Sequence, residues 1–135
     1  MAENAPGLCC SASQRLTVGE LFERGLRRNR EQELSILGTG VESVDGIYAR
    51  FSLDVVEGQV AGVGFRVTTC TALVAYAEYI AELMPGLRLE AARELSATKL
   101  VEVLPDVPAF RRDRAVLAIA AFRSVLLAAE SDQYA

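Results

Sequence analysis

One cysteine lies at the point where the sequence changes from a strand pattern to a helix pattern. The alternating segment 63–67 is followed by Thr68-Thr69-Cys70-Thr71, and a helical pattern begins at once. The start of a helix carries unpaired backbone N–H groups and the positive end of the helix dipole, which both favour a thiolate. Free cysteines are also common packing residues in protein cores. The position of Cys70 alone therefore leaves a chemical role and a packing role open.

Few other residues have the types and spacing that common catalytic sites need. The sequence contains no histidine, which excludes histidine triads, histidine proton relays and histidine metal ligands. The loop Gly38-Thr39-Gly40 lacks the lysine of a phosphate-binding loop, and no G-x-S-x-G elbow occurs. Cys9 and Cys10 are adjacent in a polar segment and, with Cys70, do not form a disulfide framework. We therefore expect a protein that is not an enzyme.

Composition and charge restrict the class of protein and its partners. The chain has 135 residues and a formal net charge of −4, which argues against nucleic-acid binding because that function needs a basic surface. No apolar run is long enough to span a membrane, and residues 1–13 lack the features of a secretory signal. Every basic residue except Lys99 is arginine, as in a GC-rich bacterial genome. We expect a cytoplasmic protein that binds neither membranes nor nucleic acid.

The order of periodic segments predicts one helix, then strands, then several helices. Thr17 and Glu20 form a capping-box pattern for a helix that should end near Asn29, with its arginines on a solvated face. Strands are expected at 34–37, 47–55 and 60–67, and later helices at 71–84, 89–95, 99–104 and 112–130. In the second strand, Ser52 should face water. The predicted fold class is α+β, a two-layer sandwich whose three-stranded antiparallel sheet has helices packed on one face.

The domain organisation follows from where the periodic segments begin and end. Residues 1–15 are small and polar without periodicity, and we expect a flexible N-terminal tail there. Residues 16–130 should form a single domain, and the polar residues 131–135 should form a C-terminal tail.

Several short strings, in their order along the chain, are those of one known family. They are Leu37-Gly38-Thr39-Gly40, Asp45 before the long strand, Cys70 at the strand-to-helix junction, Glu94-Leu95, the turn Leu104-Pro105-Asp106-Val107-Pro108, and the alanine-rich last helix from Ala115 to Val125. In this combination, from about Thr17 to Ala128, the chain resembles the iron–sulfur cluster assembly scaffolds of the IscU type, equivalently the N-terminal domain of NifU. The resemblance implies a SufE/NifU-like fold and a scaffold role in iron–sulfur cluster assembly.

In that family, three cysteines converge on one edge of the molecule, where a [2Fe–2S] cluster is built. They lie in a Cys-Gly-Asp loop, at a helix start, and in a His-Cys pair after a proline turn. This chain has Ser43-Val44-Asp45, Cys70 and Phe110-Arg111 at the three places. The resemblance therefore implies Cys70 and Asp45 as the retained cofactor-binding and metal-binding residues. It also predicts that Ser43, Asp45, Cys70 and Arg111 lie at one edge, within roughly 10 Å of each other, the span of a small-ligand pocket.

The departures from the family pattern predict a degenerate cluster site. Iron–sulfur clusters are held by four ligands, normally thiolates, and a serine hydroxyl such as that of Ser43 is a poor ligand at neutral pH. The charge of Arg111 would repel iron. We expect a [2Fe–2S] cluster or iron to bind weakly, or only in a homodimer to which each chain supplies Cys70 and Asp45. The Cys9-Cys10 segment, folding back, is another source of ligands.

The resemblance also implies partners from the assembly machinery, namely a cysteine desulfurase or a chaperone. Two alternatives to a cluster scaffold remain open. The chain could be a partner or regulator of that machinery that binds no metal, or Cys70 could accept sulfur as a persulfide, in the manner of SufE. The SufE cysteine belongs in the earlier loop, nearer Ser43, so this last alternative fits the sequence less well.

Overall fold

The computed structural model describes residues 17–134, and the predicted N-terminal tail with Cys9 and Cys10 lies outside the described residues. The order of elements is that of an α+β protein, as predicted. They are α1 Val18–Arg28, β1 Ile36–Leu37, β2 Val41–Glu42, β3 Tyr48–Val56, β4 Gln59–Val67, α2 Thr71–Leu83, α3 Leu89–Ala92, α4 Ala97–Val103, a 3₁₀ helix Ala109–Arg111 and α5 Asp113–Tyr134. Thr17 and Glu20 form the predicted capping box of α1, and Asn29 ends that helix.

The sheet has four antiparallel strands instead of the predicted three. β4 pairs with one edge of β3, whereas β1 and β2 both pair with the other edge and are interrupted at Gly38-Thr39-Gly40. At this interruption α5 approaches the strand closely, since a Cβ atom added to Gly38 would lie 2.8 Å from the Cβ of Val125. The sequence pattern missed β2 because a strand of two residues is too short to show an alternation.

The core lies between the sheet and the helices on one of its faces, which confirms the two-layer arrangement. Ala49, Phe51 and Leu53 of β3 are fully buried on this face. The ring of Phe51 meets Phe65 of β4 and Phe122 of α5 edge-on, with ring centroids 5.9 and 5.4 Å apart. Helices α2 and α5 pack against the strands, and α1 packs against α2. The edge-on contacts therefore join both layers of the fold.

The opposite face of the sheet is partly covered by the chain that precedes β1. Ser52 is fully buried there, and its hydroxyl accepts a hydrogen bond of 3.0 Å from the backbone N–H of Leu34. A Cβ atom added to Gly64, which is paired with Ser52, would lie 3.6 Å from the Leu34 side chain. The prediction that Ser52 faces water is therefore wrong, because alternation gives the face of a residue but not what covers that face.

The arginines of α1 join this helix to α2 and do not form only a solvated face. Arg28 donates to both carboxylate oxygens of Glu78, at 2.7 and 3.1 Å, and Arg24 donates to both of Glu82, at 2.6 and 2.9 Å. The Glu78 side chain is only 1% exposed, so the first of these ion pairs is buried. Amphipathic spacing alone could not distinguish a solvated arginine from one that meets a partner on the next helix.

The last helix is longer than the sequence pattern predicted. It runs from Asp113 to Tyr134, so residues 131–134 of the predicted C-terminal tail continue the helix beyond Glu130. These residues are polar in sequence, so the apolar periodicity that marks the rest of the helix stops before them and the pattern did not predict this last turn. Within residues 17–134, no helix is long and apolar enough to span a bilayer.

Candidate functional site

Cys70 lies between the end of β4 and the first residue of α2, as the sequence pattern predicts. Its backbone is extended, with φ −125° and ψ 126°, and its carbonyl accepts the first hydrogen bond of the helix from the N–H of Val74 at 2.9 Å. The side chain makes no capping hydrogen bond and is partly exposed, although it packs partly against the core. The thiol is therefore available for chemistry at the start of a helix.

Asp45 lies in the hairpin loop between β2 and β3. Gly46 follows it with φ +86°, a conformation that glycine adopts without strain, and donates its N–H to the Ser43 carbonyl at 3.0 Å. The Ser43 hydroxyl donates to Oδ1 of Asp45 and accepts a hydrogen bond of 3.1 Å from the N–H of Ile47. Ser43 therefore fixes the Asp45 carboxylate in the loop.

A buried arginine of α5 connects this loop to Cys70. The Arg114 side chain is 6% exposed, and it donates to Oδ2 of Asp45 at 3.0 Å and to Oδ2 of Asp113 at 2.9 Å. Burial lowers the pKa of Arg114, but its interactions with the side chains of Cys70 and Asp45 and the charge of Asp113 raise this pKa above its ordinary value. The buried Nε of Arg114 has no hydrogen-bond partner among residues 17–134. A permanent positive charge thus lies against both predicted ligands.

The carboxylate of Asp45 is held in its ionised form. The hydrogen bond from Ser43, followed by the one from Arg114, lowers the pKa of Asp45 below its ordinary value. One oxygen therefore accepts from the Ser43 hydroxyl and the other from the Arg114 guanidinium. A metal ion that used Asp45 as a ligand would share the carboxylate with these two donors, and the charge of Arg114 would oppose its binding.

Cys70 opens into a cleft of about 450 Å³ between the start of α2 and the turn before α5. Val18, Ile47 and Val107 supply apolar wall, and Arg111 and Arg114 supply charge. The Arg111 guanidinium lies over the ring of Phe110, 4.9 Å from the ring centroid, and that ring is 72% exposed. Among the described residues, no carboxylate lines the cleft. A thiol therefore faces a positively charged cleft with partly apolar walls.

The four residues predicted to lie at one edge are connected through Arg114. Ser43 and Asp45 are hydrogen-bonded to each other, Asp45 binds Arg114, and Arg114 lines the same cleft as Cys70 and Arg111. Within residues 17–134, however, no three histidine, cysteine, aspartate or glutamate side chains lie together as a metal site. These residues of one chain do not fit a cluster with four ligands. The ligand roles of Cys70 and Asp45 stay predictions.

The sequence matches the family model of the NifU-like N-terminal domain over residues 23–131, most of the chain. The chain belongs to this family. The predicted resemblance is thereby confirmed, and the protein is an iron–sulfur cluster assembly scaffold by family. The matched range includes Asp45, Cys70, Arg111 and Arg114, and it leaves out Cys9 and Cys10. No curated protein matches the sequence.

Solved structures of the NifU-like family share the fold at low sequence identity. The N-terminal NifU-like protein of Brucella abortus aligns with a TM-score of 0.58 and 16% identity, over 85% of this chain and 99% of that one. A protein from the thermophile Fervidobacterium islandicum AW-1, assigned as an iron–sulfur cluster assembly scaffold for the SUF system, aligns with a TM-score of 0.59 and 12% identity, over 77% of this chain and 94% of that one. These likenesses confirm the NifU-like fold.

Sequence reasoning missed Arg114, the residue that contacts both predicted ligands. The family pattern drew attention to Arg111, where the third cysteine would lie, but three arginines occur within residues 111–114. The available signal was only this cluster of arginines, and helical spacing does not relate Arg111 to Arg114, because Arg111 ends the 3₁₀ helix and Arg114 lies in the first turn of α5. The fold was needed to show that Arg114 meets the Asp45 loop and lines the same cleft as Cys70.

Proposed function

We propose that this protein acts in iron–sulfur cluster assembly as a non-enzymatic member of the scaffold family whose own cluster site is degenerate. The observation that carries the proposal is the buried guanidinium of Arg114, which is bonded to Asp45 and lies against Cys70. An iron ion at this place would meet a fixed positive charge and would compete with it for the Asp45 carboxylate. Cys70 is the single thiol of residues 17–134.

A homodimer is the arrangement in which such a site could still reach four ligands. Two chains would supply two Cys70 thiolates and two Asp45 carboxylates, and the [2Fe–2S] cluster or iron would bind weakly because each Asp45 is already paired with the positive charge of Arg114. The cluster is the cargo of this family. On this proposal, the protein carries it only between two chains or not at all.

The partner we propose is a cysteine desulfurase or a chaperone of the same machinery. Two apolar side chains beside the site support a docking role, since Val44 next to Asp45 is fully exposed and Phe110 next to Arg111 is 72% exposed. If Val44 and Phe110 form one exposed apolar patch, such a patch is typical of a binding surface. A protein that lacks the cluster ligands of the family but presents such a surface would serve as a partner of the machinery that binds no metal.

A second candidate function is sulfur acceptance at Cys70, and the open cleft favours it. In that reaction the Cys70 thiolate attacks the outer sulfur of a persulfide on the desulfurase. The sulfur–sulfur bond of the donor breaks, the donor cysteine leaves as a thiolate, and Cys70 becomes the persulfide. The neighbouring guanidinium of Arg114 would stabilise both the attacking thiolate and the persulfide anion.

Anaerobic reconstitution with iron and sulfide tests the degenerate site. We expect the wild-type protein to form less than one [2Fe–2S] cluster per chain, measured by absorption spectroscopy and iron content, and Cys70→Ala to form none. Ser43→Cys combined with Arg111→Cys returns thiols to the family positions and should increase the cluster yield. The Cys9→Ser/Cys10→Ser variant is the control for thiols outside the described residues. One stable cluster per wild-type chain, lost in Cys70→Ala, would refute the degenerate site.

Mass spectrometry distinguishes the two candidate functions. After incubation with a cysteine desulfurase and cysteine, a sulfur acceptor gains one sulfur atom on Cys70. A docking partner instead co-elutes with the desulfurase without gaining that mass. Val44→Ser/Phe110→Ser should abolish co-elution if the exposed apolar pair is the docking surface, and retention of the complex by this variant would place the docking surface elsewhere.

A further inference from the structure

The described residues that line the Cys70 cleft include two arginines and no carboxylate. Arg114 is neutralised by Asp45 and Asp113, which are not among the residues that line the cleft. Arg111 also lines the cleft, and no carboxylate of the described residues forms an ion pair with it. The overall charge of the chain is −4, so this positive cleft is a local feature and not the general character of the surface. It would attract an anion to the thiol.

Two further groups beside Cys70 have no partner among residues 17–134. The Nε of Arg114 is buried without a hydrogen-bond acceptor in this part of the chain, and the Arg114 side chain lines the cleft. The first turn of α2, a helix of 13 residues, receives no side-chain capping bond from Cys70. Backbone N–H groups at such a helix start bind negative charge. The unpaired Nε is independent of the helix terminus, and both point to the same class of ligand.

We propose that this cleft selects anionic, low-molecular-weight disulfides for reaction with Cys70. The Cys70 thiolate attacks one sulfur of the disulfide, and the sulfur–sulfur bond of the disulfide breaks. Cys70 forms a mixed disulfide with one half, and the other half leaves as a thiolate that takes a proton from water. The disulfide is thus the oxidant, and no metal or further co-reactant is needed. The reaction goes beyond the proposed role in cluster assembly.

The shape of the cleft suits a small ligand with a carboxylate at one end. Its volume of about 450 Å³ lies within the ordinary range of small-molecule sites. Ile47 and Val107 can contact the apolar part of the ligand, while Arg111 at the exposed rim can bind its carboxylate in a bidentate manner. Arg111 is therefore the residue that should determine the charge preference, because Arg114 is already engaged by two aspartates.

The test measures how the charge of a disulfide changes its rate of reaction with Cys70. The full chain with Cys10→Ser is treated with glutathione disulfide, which is anionic, or with cystamine, which is cationic, and mixed disulfides are quantified by peptide mass spectrometry. Trypsin places Cys70 in the peptide 67–88 and Cys9 in the peptide 1–15, so Cys9 is an internal standard in the same molecule. Relative to Cys9, we expect Cys70 to prefer the anionic disulfide by about tenfold.

Matched arginine variants then assign the preference to the cleft. Arg111→Gln should bring the anionic-to-cationic rate ratio of Cys70 close to that of Cys9, and added salt should act in the same direction. Arg30→Gln is the control, because Arg30 is an exposed arginine that does not line the cleft, whereas Arg112 donates to the carbonyl of the cleft residue Val107. Equal rate ratios for Cys70 and Cys9, equal effects of the two arginine variants, or no reaction of Cys70 with either disulfide would each overturn the proposal. No iron is used, so these outcomes are independent of cluster assembly.

Discussion

Raising the pH from 5 to 7.5 should destabilise this protein through one buried carboxyl group, and Glu78→Gln should abolish the effect. Glu78 lies on α2 with its side chain 1% exposed. Arg28 of α1 donates two hydrogen bonds to it, and Glu82 lies beside it on α2. Burial raises the pKa of Glu78 from 4.5 to about 7, since the bonds from Arg28 lower it less than burial and Glu82 raise it.

The sign and size of the effect follow from this pKa. A carboxyl group with a higher pKa in the folded than in the unfolded protein binds its proton more tightly when folded. Its stabilising contribution is therefore complete below pH 4.5 and is lost as the pH rises through about 7. Between pH 5 and 7.5, the difference in the pKa of Glu78 between the folded and the unfolded protein lowers the unfolding free energy by roughly 2 kcal/mol. In urea that loss corresponds to a fall of the midpoint by about 1 M.

Urea unfolding followed by circular dichroism at several pH values measures this dependence. The chain contains no histidine, so no other side chain has an ordinary pKa in the middle of this range. The unfolding free energy of Glu78→Gln should be nearly constant from pH 5 to 7.5. Glu33→Gln, which removes an ion pair with Arg50 of β3 at 2.7 Å, should keep the wild-type slope. A flat wild-type profile, or an unchanged slope in Glu78→Gln, would refute the reasoning.

Three further pairs of variants test the packing by urea unfolding. Gly25→Ala should destabilise by about 1–2 kcal/mol because its Cβ would lie 2.5 Å from Cγ1 of Val74, whereas Gly19→Ala, with its nearest atom at 4.0 Å, should stabilise by about 0.5–1 kcal/mol. Ser52→Ala should cost about 1–3 kcal/mol because the N–H of Leu34 loses its acceptor, and Ser35→Ala at an exposed position should cost less. Phe122→Ala should cost about 3–5 kcal/mol, while Leu127→Ala, at a 63% exposed residue, should stay within about 0.5 kcal/mol. Equal effects within any pair would contradict the packing described.

The elements that the sequence predicted well depend on local signals. The capping box of Thr17 and Glu20 satisfies backbone groups within one turn, so it can be recognised without knowledge of the fold. Cys70 is similar, because the change from alternation to helical spacing marks the end of β4 and the start of α2 on either side of it. Such features need no information about distant parts of the chain.

The features that the sequence missed depend on contacts between distant segments. β2 exists because it pairs with two residues of β3, and Ser52 is buried because Leu34 crosses above it. Arg28 is not on a solvated face of α1, because it forms an ion pair with Glu78 on the neighbouring helix α2. In each case the residue type is compatible with both the predicted and the observed environment, and the partner that determines the environment lies far away in the sequence.

Arg114 changes how the loss of the family ligands should be understood. A site that had only lost thiols would still attract a cation through Asp45 and a Cys70 thiolate. Here two guanidinium groups line the cleft beside the thiol, and the Asp45 carboxylate is bonded to one of them. On our proposals, the charge preference of the site is therefore reversed, from iron towards anions. Both sulfur acceptance and reaction with an anionic disulfide use this reversed charge, whereas cluster binding has to overcome it.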